Sequence, residues 1–243
     1  MATSYPHRLV RWLSDLIFPY RCIGCAVHLE KSYLCNDCVA KIPLRMRLEC
    51  IGCRRTTPGG ITCPDCKHDY AINRVFIVSD YHDSILAAAI KTLKYKFLPE
   101  LSAPLVALAT RYIQNQSALH RIAFASEEFL VVPVPLHKRR ENWRGFNQAA
   151  LLARGLADRF RLEYAENLVR TVHLPPQATI KDRGERFENI KKAYACPMPE
   201  AALGRNILLI DDVCTTGATL NECARVLKNA GAASVTALVI ARG

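Results

Sequence analysis

The stretch from Ile207 to Thr219, ILLIDDVCTTGAT, decides the fold. Four consecutive apolar residues predict a buried strand, Asp211 and Asp212 stand at its carboxyl end, and a Thr/Gly loop opens a helix near Thr219. A loop running into a helix N-terminus presents unpaired backbone N–H groups and the positive end of the helix dipole, so a phosphate monoester can dock there without a lysine. Gly217 admits close approach of the backbone, Thr215, Thr216 and Thr219 supply hydroxyl donors, and Val213, Cys214 and Ala218 complete the loop. Carboxylates repel that same phosphate, so Asp211 and Asp212 are suited instead to vicinal hydroxyls or to a hydrated magnesium ion, Mg2+. Both halves fit a ribose 5-phosphate. The plainer reading is a strand, turn and helix with an acidic cap.

Upstream, Phe129 to Pro133 predicts a short buried strand, which Pro135 ends. Lys138, Arg139, Arg140 and Arg144 then crowd a turn before a helix beginning around Asn147. Several cations in one turn suit a diphosphate, and His137 among them reads as a neutral donor rather than a base. In the segment after Arg170, Pro175 and Pro176 forbid helix at their start, and residues 181–193 then predict a helix carrying Arg183, Arg186 and Asn189. A cation-rich segment of this kind is a candidate lid, against the reading of an ordinary exposed helix.

The remaining pattern alternates strand and helix. Arg74 to Tyr81 reads as a strand; Ser84 to Lys96 carries apolar residues at helical spacing; Leu101 to Gln116 is a helix entered after Pro99. The alternation runs to a last strand over Ser234 to Ala241, with Gly231 closing the helix before it. This predicts an α/β fold, a parallel sheet flanked by helices, with ligands at the carboxyl ends of its strands. Lys94 and Tyr95, at the end of the first helix, are equally readable as surface residues.

Eight of the eleven cysteines form four CxxC pairs: Cys22/Cys25, Cys35/Cys38, Cys50/Cys53 and Cys63/Cys66. The second half repeats the first at a period of 28 residues, the mark of an internal duplication. Each half is a pair of knuckles suited to one tetrahedral ion. We expect two structural Zn2+ sites of four thiolates each, with interleaved pairing of the halves geometrically open. A segment this short has too little apolar surface to fold on its own core, so metal binding would supply the folding energy. Closed thiolate sites leave no position for a reactive water. Cys196, Cys214 and Cys223 fall outside the repeat and read as small buried or loop residues.

At 243 residues and half apolar content, the chain accommodates a small module over residues 1–70 and a full domain over 71–243. No apolar run is long enough for a membrane span, and charges interrupt the N-terminal stretch, so no signal peptide is expected. The expected location is cytoplasmic, where thiols stay reduced. The net charge of +11 is uneven: +4 over residues 1–70, +1 over 71–130, +6 over 131–192 and 0 beyond. Trp12, Tyr20, Tyr33, Arg54 and Arg55 are candidate contacts for single-stranded DNA.

The Ile207–Thr219 motif resembles the phosphoribosyl diphosphate signature of type I phosphoribosyltransferases. With PVPLHKRRENWRGFNQA (133–149) and PPQATIKDRGERFENIKKAY (175–194) before it, all behind a double CxxC ribbon, the chain resembles the ComF/GntX family of competence and DNA-utilisation proteins over nearly its whole length. The resemblance implies a type I phosphoribosyltransferase fold behind a double zinc ribbon, and a role with DNA-uptake proteins in the uptake or use of exogenous DNA. It implies a diphosphate loop over Pro135, Lys138, Arg139 and Arg140, a lid carrying Gln177, Arg183 and Arg186, and a grip on the ribose phosphate by Asp211, Asp212 and residues 213–219. The order of motifs is also similar to synthase-type amidophosphoribosyltransferases, but the chain has no glutaminase domain and no N-terminal nucleophilic cysteine. Three functions remain open: a transferase with an unknown acceptor base or amine, a module that binds phosphoribosyl diphosphate or a related nucleotide, and a single-stranded DNA handler.

Overall fold

The computed structural model describes residues 20–119, 128–171 and 193–243. Gln177, Arg183, Arg186, nearly all of the helix expected over 181–193, and Trp12 lie outside the described residues.

After the short helix α1 (Asn36–Lys41) come β1 (Arg74–Asp80), α2 (Ser84–Tyr95), α3 (Ser102–Ala118) and β2 (Phe129–Pro133). Then follow α4 (Lys138–Arg144), α5 (Gln148–Phe160), β3 (Glu163–Tyr164), β4 (Val169–Arg170), β5 (Tyr194–Ala195), β6 (Asn206–Cys214), α6 (Ala218–Asn229) and β7 (Ser234–Arg242). Asp83 caps α2 by accepting from the Leu86 N–H at 2.8 Å, and Asn147 caps α5 by accepting from the Ala149 N–H at 3.0 Å. The sheet is parallel throughout, in the order β1-β7-β6-β2-β3, and β4 and β5 form a separate antiparallel pair.

Alternation along each strand splits the apolar residues between two faces, as a sheet covered on both sides requires. Leu208 and Ile210 join Phe76, Val131 and Leu238 in one cluster, which α2, α3 and α5 cover. Ile207 and Leu209 join Val75, Val132 and Val239 in the other, beneath α6. The two halves of the cysteine repeat divide in the same way. Cys22, Leu34, Val39 and Ile42 pack into the first cluster, Ile51 and Tyr70 into the second. Arg111 of α3 fastens the first half by donating to the carbonyls of Val39, Ala40 and Ile42.

The basic segment after β2 departs from the expected turn. Lys138–Arg144 is helical, because His137 Nδ1 accepts from the Arg139 N–H at 3.2 Å and Gly145 terminates the helix at φ +81°. His137 therefore acts as an acceptor at Nδ1, not only as the neutral donor expected.

Candidate functional site

Between β6 and α6 the chain turns through Thr215, Thr216 and Gly217. Gly217 is the N-cap residue of α6 at φ +83°, a conformation that suits glycine, and no side chain caps the helix. The Ala218 N–H reaches only Thr216 Oγ1, at 3.3 Å. The first turn of α6 thus has no side-chain cap at its N-cap residue, and a helix end of this kind can receive an anion. A small, open depression lies over this turn, lined by Asp211 and residues 213–220. All seven loop residues predicted from the sequence, Val213 to Thr219, lie in it.

The two acids part company. Successive strand residues point to opposite faces, so Asp211 looks into the depression while Asp212, 3% exposed, turns toward α2. There Lys94 Nζ lies 2.8 Å from Asp212 Oδ2. Asp211 Oδ1 accepts from the Asp212 N–H at 2.8 Å. Its carboxyl is pushed up to about 8 by burial first and by the charge of Asp212 second, with Lys94 pulling the other way. Lys94 is held above its ordinary range by Asp212, against the opposing effect of its own desolvation.

Pro135 follows β2 beside this point, since Pro133 pairs with Ile210 and the Val134 N–H donates to the Ile210 carbonyl at 2.9 Å. Arg140 is half-buried and its guanidinium is lowered by desolvation first, then by Arg170 and Arg144. Arg144 is buried, close enough to Asp212 to feel its charge, and stands 6.0 Å from the Tyr95 ring. Lys138 and Arg139, by contrast, are exposed. The structure thus adds Lys94 and Arg170 to the predicted cations, which already include Arg144. Arg170 lies 5.6 Å over the Tyr194 ring, with its Nε and Nη2 buried and without a hydrogen-bond partner among the described residues. Spacing offered no signal for Lys94 or Arg170, because both reach the site through tertiary packing.

Lys94→Met should destabilise the protein by about 2 kcal/mol, lowering Tm by roughly 4–8 °C, because it strands a buried carboxylate while Arg144 compensates in part. Scanning calorimetry measures this. An unchanged Tm would show that the pair is not a structural one.

The eight repeat cysteines resolve into two groups, Cys22/Cys25/Cys35/Cys38 and Cys50/Cys53/Cys63/Cys66, with all sulfurs of a group within 4.8 Å of one another. The sequential halves, not interleaved ones, are the units. A zinc–sulfur bond of about 2.3 Å implies tetrahedral edges of about 3.8 Å. Cys22–Cys35, Cys25–Cys35 and Cys53–Cys63 stand at 3.6, 3.7 and 3.6 Å, so the donor set fits such an ion. Arg55 donates to Cys53 Sγ at 3.3 Å and draws that thiol down to about 6, an outer-shell support for a thiolate ligand. Burial pushes Cys214 up to about 11 and Cys223 well above the ordinary thiol range, which suits neither to nucleophilic attack. Of the expected DNA contacts, Tyr20 and Tyr33 stack on each other at 4.7 Å, Arg54 donates to the Thr215 carbonyl at 3.2 Å, and Arg55 pairs with Asp65. No helix among the described residues is long and apolar enough to cross a membrane.

Comparison with known proteins fits this arrangement. Residues 147–243, which hold α5, β6, the loop, α6 and β7, match the phosphoribosyl transferase domain. Competence protein F of Haemophilus influenzae is 28% identical over 233 residues, covering 93% of this chain and 98% of its own length. Competence protein ComFC of Bacillus subtilis is 28% identical over 252 residues, covering 97% of this chain and 96% of its own. The DNA utilization protein YhgH of Escherichia coli K12 is 31% identical over 170 residues, 70% of this chain and 72% of that protein.

Proposed function

Given that the chain belongs to the ComF/GntX family of competence and DNA-utilisation proteins, we propose that it binds phosphoribosyl diphosphate, or a related nucleotide, in the service of DNA uptake or the use of incoming DNA. The observation that carries the ligand is the uncapped α6 N-terminus opening beside Asp211.

In this reading the 5-phosphate rests on residues 215–219 and the ribose hydroxyls on Asp211, while Asp212, turned to the other face, holds Lys94 in place behind them. The diphosphate runs past the β2 end at Pro135 toward Lys94, Arg140 and Arg144, with Lys138 and Arg139 at its margin. Gln177, Arg183 and Arg186 belong to the lid. Mg2+ would supply neutralisation of the diphosphate, and Asp211, once ionised, would be the hard oxygen donor to hold it. The cysteine groups are structural Zn2+ sites in a module over residues 1–70, ahead of the 71–243 domain, and reduced thiolates suit a cytoplasmic location. Single-stranded DNA and DNA-uptake proteins are the partners to test.

Calorimetric titration with phosphoribosyl diphosphate and Mg2+ provides that test. The protein should bind, and Asp211→Asn/Asp212→Asn should bind at least about 30-fold more weakly, the worth of one or two charge-assisted hydrogen bonds. Because burial and the charge of Asp212 raise the Asp211 carboxyl to about 8, it is largely protonated at neutral pH and carries its full negative charge only above that value. Affinity should therefore rise between about pH 7 and 9, a window of about one unit either side of that value, and Asp211→Asn should flatten the rise. Absence of binding, or undiminished binding by the double variant, removes the proposal.

Catalytic turnover is a second reading, favoured by the cluster of Lys94, Arg140 and Arg144 where departing diphosphate would need cations. Diphosphate release with a panel of bases and amines would establish it; tight binding without release leaves a binding module.

A further inference from the structure

The cysteine repeat brings one of its two copies to the phosphate loop and carries the other away from it. In the second copy, Ile51 sits inside the knuckle between Cys50 and Cys53 and is fully buried. A Cβ placed on Gly217 would meet Ile51 Cδ1 and Cγ1 at 3.0 Å and Tyr70 at 3.7 Å, so the knuckle is the wall behind the loop. Arg54, the residue after Cys53, donates from Nη2 to the Thr215 carbonyl at 3.2 Å and to the Gly243 carbonyl at 3.5 Å. Farther along, Asn221 in the first turns of α6 accepts from the Ala71 N–H and donates to the Asp69 carbonyl, both at 2.7 Å. The loop, the helix it opens and the second knuckle form one contact surface.

The first copy shows what this costs and what it gains. Adding 28 to Ala26 gives Arg54, and both stand in the left-handed region, at φ 60° and 63°. The duplicated knuckle therefore imposes the same backbone twist, which a non-glycine residue adopts against a steric penalty. In the first copy that position is a methyl, and its Gly24 faces Cys38 and Ile85 of α2. Only in the second does the twist aim a guanidinium at the carbonyl of Thr215. A carbonyl held from behind leaves the following N–H groups directed into the depression, which is the state a phosphate needs.

We infer that Arg54 is a positioning residue for the phosphate loop, and that occupancy of the second metal site is coupled through residues 50–54 to anion binding, whereas the first site is not. This rests on the reading of the loop as a phosphate site and extends it across the two modules. Coupling of this kind is reciprocal, so bound anion must also slow the loss of metal from that one site.

The test uses the full zinc-loaded chain, with phosphoribosyl diphosphate and Mg2+ as the probe. Arg54→Ala, which makes the second copy like the first, should bind about tenfold more weakly, the worth of one hydrogen bond, while still holding two zinc ions. Arg54→Lys should fall between it and the wild type. Arg111→Ala, which loosens only the first copy, should leave the affinity unchanged. Added ligand should slow chelator capture of one zinc of the two, and Arg54→Ala should abolish that protection. Wild-type affinity in Arg54→Ala, loss of its zinc along with its affinity, or equal weakening by Arg111→Ala overturns the inference. Failure of the unaltered protein to bind the probe instead overturns the phosphate reading on which it stands.

Discussion

A strong chelator is expected to lower the melting temperature by roughly 20 °C or more, since structural zinc sites contribute about 10 kcal/mol or more of folding free energy each. Between residues 20 and 66 the described chain has one helix, of six residues, two short helical turns and a few isolated bridges, so its own secondary structure does little to hold its fold without a metal. Yet that segment covers both faces of the sheet. Leu34, Val39 and Ile42 join the apolar cluster of Phe76 and Leu93 on one side, and Ile51 joins that of Val75 and Val239 on the other. Losing it exposes apolar sheet surface that α6 or α2 alone does not shield, so aggregation should follow chelation. Elemental analysis should find two zinc ions per chain. Fewer than two, or a chelated chain that melts as before, would refute the assignment of both cysteine groups as structural sites.

Replacing Glu49 by leucine should cost about 3–5 kcal/mol, or roughly 10–15 °C in Tm. Glu49 is 1% exposed and lies between the two cysteine groups. Its carboxylate accepts from Arg242 at the end of β7 at 2.7 Å, and from Arg45 at 2.7 Å. Arg242 is 2% exposed, and its guanidinium is lowered by desolvation first. Without Glu49 it keeps only its bond to the Ile51 carbonyl, 3.1 Å away, and a buried charge remains uncompensated. The double variant Glu49→Leu/Arg242→Met removes both charges and should recover most of the loss. Should the double variant melt lower than Glu49→Leu, the cost would lie in packing rather than in the orphaned cation.

What a reader of the sequence alone can see depends on how local each cause is. The run Ile207–Ile210 and the Thr/Gly turn after it are legible because burial on both faces demands unbroken apolar residues and a tight turn favours Gly217. The cysteine period is legible as arithmetic, whereas the partition into sequential halves needed the sulfurs' positions. Lys138–Arg144 misleads because its cations suit an exposed turn and a short helix equally; the cap at His137 and the stop at Gly145 decide for helix. The opposite orientations of Asp211 and Asp212 follow from strand pleating once β6 is seen to run through Cys214. Their partners do not: Lys94 lies more than a hundred residues upstream, and only the packing of α2 across β6 brings its ammonium to Asp212. Arg54 is a still less local case, since its bond joins it to Thr215, 161 residues further along the sequence.

The position of β7 also bears on the order in which the protein forms. It lies between β1 and β6, and Arg74 of β1 pairs with Thr236. Until residues 234–242 insert, β1 has no hydrogen-bonded neighbour among the described strands, and the sheet's halves cannot join. Closing so long a loop is slow and leaves an apolar edge open meanwhile. Folding should therefore be gated by that insertion, leaving a nascent or truncated chain dependent on chaperones until β7 is in place.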